Sequence, residues 1–237
     1  MGINERRNYE SYCITIGRMA PDFTTLSTDG YITLSQYRGK WVILMSEPGN
    51  FAAVPASSLA EFAKHNDEFV KRNVQILVVT LNSNFSNIEL MMSLYEHGIV
   101  VPFPVLEDKE AQIADKYGMV NPDRVYEESV RDLFIINPEG RIKAIITYPV
   151  SCGRNTYEVL RVIDSLQLTE KYNVYTPANW VPGNPVIEPT THSFREAIAR
   201  KENSNLSFDC LTWYYCLKDY YSLFQENNDV SEQKKRL

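Results

Sequence analysis

Along the first two-thirds of the chain, short runs of apolar residues alternate with segments in which apolar residues recur at helical spacing. The runs 41–46 and 74–81 are short and rich in β-branched residues, which predicts two buried strands. Between them, apolar side chains recur at helical spacing and predict a crossover helix from about Pro55 to Arg72: Leu59, Phe62, Ala63, Phe69 and Val70. Strands that alternate with helices are typical of a layered α/β fold.

Capping signals place further helices. Ser58–Glu61 and Ser86–Glu89 both have capping-box spacing, in which a serine precedes a glutamate by three residues. The second box predicts a helix that runs to about Glu96, and a short helix near 110–117 follows.

The next segment completes the predicted core. Residues 131–147 form two apolar runs around the turn-forming tetrapeptide 137–140, which predicts a hairpin. A helix over 154–168 would place Leu160, Ile163 and Leu166 on one face. The order strand, helix, strand, helix, hairpin, helix is that of a thioredoxin-like fold.

The character of the chain changes after Gln167. Four prolines punctuate a stretch with little periodicity, and a helical segment at 193–202 and an aromatic run at 213–215 follow. We therefore predict a core domain over 1–168 and a C-terminal extension domain over 169–237. An extension of this kind is expected to serve as a dimerisation arm that wraps around a second subunit.

Composition and charge exclude several classes of function. The net charge of −6 disfavours nucleic acid as a partner, because such binding depends on clustered Lys and Arg. No apolar run approaches the ~20 residues of a membrane-spanning helix, and the charged N-terminus lacks the apolar core of a secretion signal. We expect a cytoplasmic protein that neither crosses nor binds a membrane.

Metal and cofactor signatures are also missing from the sequence. The four cysteines include no Cys-x-x-Cys pair, and the three histidines are scattered singly, so a zinc site is not expected. There is no Walker loop and no dinucleotide fingerprint. The prediction is a protein without a metal and without a bound cofactor.

Several longer motifs resemble the one-cysteine class of peroxiredoxins. They occur in the family's order at 16–23, 101–108, 148–155 and 176–183, and the similarity extends from about residue 14 to residue 218. The resemblance implies an α/β, thioredoxin-like (peroxiredoxin) fold with a C-terminal extension domain.

The loop 48–55 resembles the peroxidatic loop of that family, but its catalytic groups are replaced. Pro48 keeps the frame, whereas the family's Thr position holds Ala52 and its reactive-cysteine position holds Pro55. Glu47 stands where the one-cysteine class usually has a histidine. Since proline has no thiol, this degenerate ancestral site is expected to be unable to attack a peroxide. In its place, Pro55 is expected to favour the start of the following helix.

Other residues of the family's machinery are retained. By resemblance, Arg131 is the pocket arginine and Arg154 is a second arginine nearby, so an electropositive pocket is implied. Cys152 lies two residues before Arg154 and is a candidate for a relocated reactive thiol. Its alternative is a small, inert side chain in a tight turn.

The extension carries a cysteine pair of its own. Cys210 and Cys216 resemble the C-terminal pair of archaeal-type members, in which one cysteine resolves the oxidised residue of a neighbouring subunit. In a helix, six residues would separate their Cα atoms by about 9 Å, beyond the ~7 Å limit for a disulfide. The pair is therefore either two independent thiols or part of a non-helical arm.

Two functions follow from these observations. The first is a peroxiredoxin-like pseudo-peroxidase that is catalytically inactive and assembles as a homodimer or a ring of dimers. The alternative is a thiol-dependent peroxidase or redox sensor that uses Cys152, with Cys210 or Cys216 as resolving cysteine. Only the alternative requires a peroxide and a thiol reductant as partners.

Overall fold

The computed structural model describes residues 14–47, 52–119, 131–202 and 208–225, and it divides the chain into two compact units. Unit 1 covers residues 1–156 and unit 2 covers residues 157–237. The predicted domain boundary after residue 168 lies within the helix that begins unit 2. Among the described residues, no helix combines the length and apolarity needed to cross a membrane.

The elements of unit 1 form an α/β fold, as predicted. In chain order they are β1 (Thr24–Ser27), β2 (Gly30–Thr33), β3 (Trp41–Glu47), α1 (Ala53–Lys64), α2 (Asn66–Lys71), β4 (Val74–Thr80), α3 (Asn84–Glu96), β5 (Val105–Glu107), α4 (Gln112–Tyr117), β6 (Arg131–Ile136) and β7 (Ile142–Tyr148). A short 3-10 helix, Leu34–Tyr37, follows β2.

These strands form one seven-stranded sheet in the order β2-β1-β5-β4-β3-β6-β7. The central pair β3 and β4 is parallel, and β6 and β7 form the predicted hairpin. Every residue of β3 and β6 is buried, which explains why both strands are nearly continuous apolar runs. At the hairpin turn, the amide of Gly140 donates to the carbonyl of Asn137 over 2.8 Å.

Two of the helix predictions need correction. The single crossover helix is two helices, because the chain breaks at His65 between α1 and α2. Both predicted capping boxes are wrong, since Ser58 and Glu61 lie inside α1 and Ser86 and Glu89 lie inside α3. The cap of α3 is Ser83, whose Oγ accepts a hydrogen bond from the amide of Ser86 over 3.2 Å, and α3 ends at Glu96 as predicted.

Unit 2 contains α5 (Thr156–Tyr172), β8 (Val186–Ile187), α6 (Phe194–Glu202), β9 (Phe208–Thr212) and β10 (Tyr215–Lys218). The three strands form a small antiparallel sheet in the order β8-β10-β9. A separate apolar cluster packs within this unit around the buried Trp180: Leu168, Val174, Val186 and Leu223. Trp180 also donates its indole N–H to the carbonyl of Asn184 over 3.0 Å.

Candidate functional site: a buried arginine–glutamate cluster

The cluster begins with a salt bridge between neighbouring strands. Met45 of β3 pairs with Leu133 of β6, so Glu47 and Arg131 each lie two residues beyond that pair on the same face of the sheet. Arg131 donates from Nε to Glu47 Oε2 and from Nη2 to Glu47 Oε1, both over 3.2 Å. The two side chains are only 0% and 2% exposed, so this pair is withdrawn from water.

Arg154, in the segment between β7 and α5, completes the cluster. Its Nη1 donates to Glu47 Oε1, and its Nη2 donates to the carbonyls of Ser46 at 2.6 Å and Asp132 at 3.2 Å. The Nε of Arg154 is buried and has no hydrogen-bond partner in the part of the chain that the structure describes. The structure therefore brings the two predicted arginines and Glu47 together in one buried site.

Burial and charge act in opposite directions on these groups. Burial raises the pKa of Glu47, and the guanidinium groups of Arg154 and Arg131 oppose this rise by stabilising the carboxylate. Burial likewise lowers the pKa of Arg154, while Glu47 opposes that shift. Because arginine stays charged in proteins, the ionised carboxylate of Glu47 offsets one of the two positive charges. The electropositive pocket expected from the two arginines is thus reduced by the residue at position 47.

Asp132 lies at the edge of the cluster. Burial raises the pKa of its carboxyl group, with the Thr147 hydroxyl and the charge of Arg154 acting in the opposite direction. Thr147 donates its hydroxyl to Asp132 Oδ1 over 2.5 Å, and the Asp132 amide donates to the hydroxyl of Ser46 over 3.0 Å. These contacts fix the ends of β3, β6 and β7 around the two arginines.

Helix α1 contributes the remaining wall. Ser58 Oγ accepts a hydrogen bond from Nη2 of Arg131 over 2.7 Å, and Pro55 lies three residues earlier on the same buried face of the helix. Pro55 occupies the first turn of α1, where an amide hydrogen would have no partner within the helix. Ala52 is the N-cap and offers no side-chain hydrogen bond. Pro48 lies outside the described residues.

Cys152 lies close to Arg131 through its main chain. Its carbonyl accepts a hydrogen bond from Nη1 of Arg131 over 2.5 Å, while its side chain is exposed and its sulfur lies 3.9 Å from the hydroxyl of Ser151. Its predicted role as a relocated thiol therefore stays a prediction.

The two cysteines of the extension lie in unit 2 and are joined to each other. They do not lie in a helix but face each other across the β9–β10 hairpin, with Cα atoms 3.9 Å apart. Cys210 and Cys216 form an intramolecular disulfide. Of the two alternatives left open by the sequence, the structure has the non-helical arm.

Sequence reasoning did not identify Ser58, Ser46, Asp132 and Thr147 as parts of this site. Asp132 carries a signal in the sequence, since it is a carboxylate within an otherwise apolar strand directly after Arg131. The described residues contain no group of three or more His, Cys, Asp or Glu that could hold a metal ion.

Comparison with protein families matches two segments of the chain. Residues 16–145 match the AhpC/TSA family, and residues 165–203 match the C-terminal domain of 1-Cys peroxiredoxin. Among similar proteins, peroxiredoxin 2 of Caldanaerobacter subterraneus subsp. tengcongensis is 42% identical over 204 residues, which cover 86% of this chain and 92% of that protein. Peroxiredoxin of Aquifex aeolicus is 37% identical over 215 residues, with coverage of 86% and 96%.

Solved structures of peroxiredoxins are also similar to this chain. Yeast mitochondrial 1-Cys peroxiredoxin, described for its thiol resolving mechanism via glutathione and thioredoxin systems, superimposes with a TM-score of 0.77 at 35% identity, covering 86% of this chain and 99% of that chain. A cysteine-to-serine mutant of peroxiredoxin 6 of Arenicola marina gives a TM-score of 0.77 at 31% identity, with coverage of 87% and 98%. These matches confirm the predicted thioredoxin-like fold.

Proposed function

The chain belongs to the peroxiredoxin family, and from that premise we propose that it is a catalytically inactive member, a pseudo-peroxidase that acts as a homo-oligomer. The observation that carries this proposal is the side chain at position 55. Pro55 is buried in the first turn of α1, one turn from Ser58 and its hydrogen bond to Arg131. The position that would hold the reactive thiol therefore holds a group with neither a nucleophilic atom nor an amide hydrogen.

The electrostatics of the cluster support the same conclusion. A peroxidatic cysteine reacts as a thiolate, which nearby positive charges stabilise. Here the carboxylate of Glu47 accepts hydrogen bonds from both arginines, so much of their charge is already compensated. Ala52 also lacks a hydroxyl that could hold a peroxide. Three changes at one site thus favour loss of the activity.

Exposed Cys152 carries the second candidate, a thiol-dependent peroxidase or redox sensor. Its thiolate would attack one peroxide oxygen and break the O–O bond. The sulfur would become a sulfenic acid, and the other oxygen would leave as water after protonation. A thiol of Cys210 or Cys216 would then attack that sulfur, with loss of a second water. Since these two cysteines form a disulfide, a thiol reductant would first have to supply two electrons and two protons.

Hydrogen peroxide consumption distinguishes the two functions. The assay uses the full-length, prereduced protein with glutathione or with thioredoxin as reductant, beside the Cys152→Ser variant. Inactivity of both proteins supports the pseudo-peroxidase. Consumption that disappears in Cys152→Ser would overturn it in favour of the second candidate, and a Cys210→Ser/Cys216→Ser variant would then show whether the arm resolves the oxidised thiol.

The edge of the sheet supports the homo-oligomeric part of the proposal. β7 is the last strand of the sheet, and no strand of the described residues pairs with Ala144–Thr147 on its outer side. Ile145 and Ile146 are only half-buried, and an apolar edge strand is a template for pairing with another chain.

We expect light scattering to give a dimer or a ring of dimers, and the amides of this strand to exchange hydrogen more slowly as protein concentration rises. A monodisperse monomer would contradict the proposal.

A further inference from the structure

Unit 2 contains a cavity of about 580 Å³ between α6 and the turn that joins β9 to β10. We call it the arm cavity and define it by its lining: Thr191, His192, Ser193, Phe194, Ala197, Ile198, Lys201 and Trp213. Its volume lies within the roughly 300–1,000 Å³ typical of small-molecule sites. All of its lining residues belong to unit 2, and none of them is a residue of the arginine–glutamate cluster.

One face of α6 provides most of the apolar lining. Phe194, Ala197, Ile198 and Lys201 follow the spacing i, i+3, i+4, i+7, which places all four on one face of a helix. Phe194 is 83% exposed, so its ring is available to a ligand.

Trp213 provides an aromatic wall from the β9–β10 turn. Its indole is 43% exposed and packs edge-to-face on Tyr214, with ring centroids 5.4 Å apart. The turn is closed by the Cys210–Cys216 disulfide, which restricts the positions that the indole can take. An exposed indole held in this way favours a flat, apolar ligand that can stack on it.

The charge of the lining favours an anion. Lys201 carries the only formal positive charge among the lining residues, which include no carboxylate, although the protein as a whole carries −6. Lys201 makes no ion pair with the described residues. The one carboxylate in the first turn of α6, Glu196, accepts a hydrogen bond from Thr191 and does not line the cavity. The N-terminus of α6, capped by Ser193, adds the positive end of the helix dipole.

We propose that the arm cavity binds a small planar aromatic anion, with its rings against Phe194 and Trp213 and its acidic group at Lys201. This binding function goes beyond the proposed loss of peroxidase activity and does not depend on it.

The test is isothermal titration calorimetry of the full-length protein with 2-naphthoate and with its neutral isostere 2-naphthamide. We expect the carboxylate to bind about threefold more tightly than the amide, because an exposed charge pair contributes modestly. Lys201→Gln should abolish this preference while leaving amide binding unchanged. Trp213→Ala should weaken both ligands about tenfold, through loss of the stacking surface.

Two controls make the result specific. Phe85→Ala removes an aromatic side chain of unit 1 that is 85% exposed and does not line the cavity, and it should leave both affinities unchanged. Lys64→Gln removes an exposed lysine of unit 1 and should keep the preference for the carboxylate. The proposal is overturned if 2-naphthoate shows no binding at millimolar concentration, if Phe85→Ala weakens binding as much as Trp213→Ala, or if Lys201→Gln retains the carboxylate preference.

Discussion

Replacement of Arg131 by methionine tests whether the cluster is a working charge network. The side chain of Arg131 is fully buried, and it donates to Glu47, to the hydroxyl of Ser58 and to the carbonyl of Cys152. Methionine keeps much of its length and apolar volume but removes its charge and its donors. Glu47 would then share its buried carboxylate with Arg154 alone.

The size of the effect follows from this burial. Removal of one partner from a buried ion pair costs about 3–5 kcal/mol, because the remaining charge is left incompletely compensated. With a slope of roughly 2 kcal/mol per M urea, this loss lowers the midpoint of unfolding by about 2 M. Against a total stability of about 5–15 kcal/mol, Arg131→Met is expected to be folded but clearly weakened.

The pH dependence gives the variant a specific signature. Burial already raises the pKa of Glu47 above its ordinary value of 4.5, and loss of Arg131 removes one of the two groups that oppose that rise. The native state then binds a proton that the unfolded state releases. Stability is therefore lost as pH increases from 4.5 through the raised pKa of the folded state. We expect the difference from the wild type to be larger at pH 8 than at pH 5.

The assay is urea unfolding followed by circular dichroism at both pH values and at equal protein concentration. Arg161→Met is the matched control, since Arg161 also pairs with a carboxylate through two hydrogen bonds but is 28% exposed. It should cost less than about 1 kcal/mol, without the pH signature. A loss below about 1 kcal/mol for Arg131→Met, equal at both pH values, would refute the buried charge network.

Three further predictions follow from the same structure. A Glu47→His/Ala52→Thr/Pro55→Cys variant carries the residues that the resemblance implies for these positions, and we expect mass spectrometry to show one added oxygen per chain under limiting peroxide, where the wild type gains none at position 55. Trp180→Ala should destabilise unit 2 by about 3–5 kcal/mol in urea unfolding, because it empties the centre of that unit's apolar cluster. Reduction of the hairpin disulfide should accelerate amide exchange in β9 and β10 by roughly 50-fold, the equivalent of about 2.3 kcal/mol for so short a loop, and unchanged exchange would contradict this.

The sequence predicted the strands that are buried on both faces. It did not predict the elements that are very short or the break between the two helices. β3 and β6 are covered on both faces, so their apolar runs identify them without ambiguity. β1 and β5 are only four and three residues long, too short to show periodicity. Their places in the sheet come from pairing, because β1 pairs with β2 and β5, and β5 pairs with β4. The break at His65 was also hidden, because the apolar spacing continues across it.

The β9–β10 hairpin was not predicted for a different reason. The run Cys210–Cys216 has no decisive periodicity, and its geometry comes from the pairing of β9 with β10, whose Leu217 and Lys218 pair in turn with β8, far away in the sequence. Strand propensity is decided largely by such neighbours rather than by the local chain. A separation of six residues is too long for a disulfide in a helix but suits a hairpin, so the sequence alone left open whether the two thiols are independent or part of a non-helical arm.

The buried charges connect the substitutions at positions 47 and 55. Arg131 and Arg154 place two guanidinium groups in a site without water contact, and buried cations need a compensating anion. A thiolate at position 55 would contribute such an anion, and with Pro55 it is lost. Glu47 supplies a carboxylate within hydrogen-bond reach of both arginines. We infer that the two changes compensate each other, so that Pro55→Cys alone adds a thiol beside two arginines whose positive charge Glu47 already partly compensates. Its thiol should therefore remain protonated at neutral pH, and oxidation should become fast only when Glu47 is also replaced. Equal oxidation rates for Pro55→Cys with and without Glu47→His would refute this coupling.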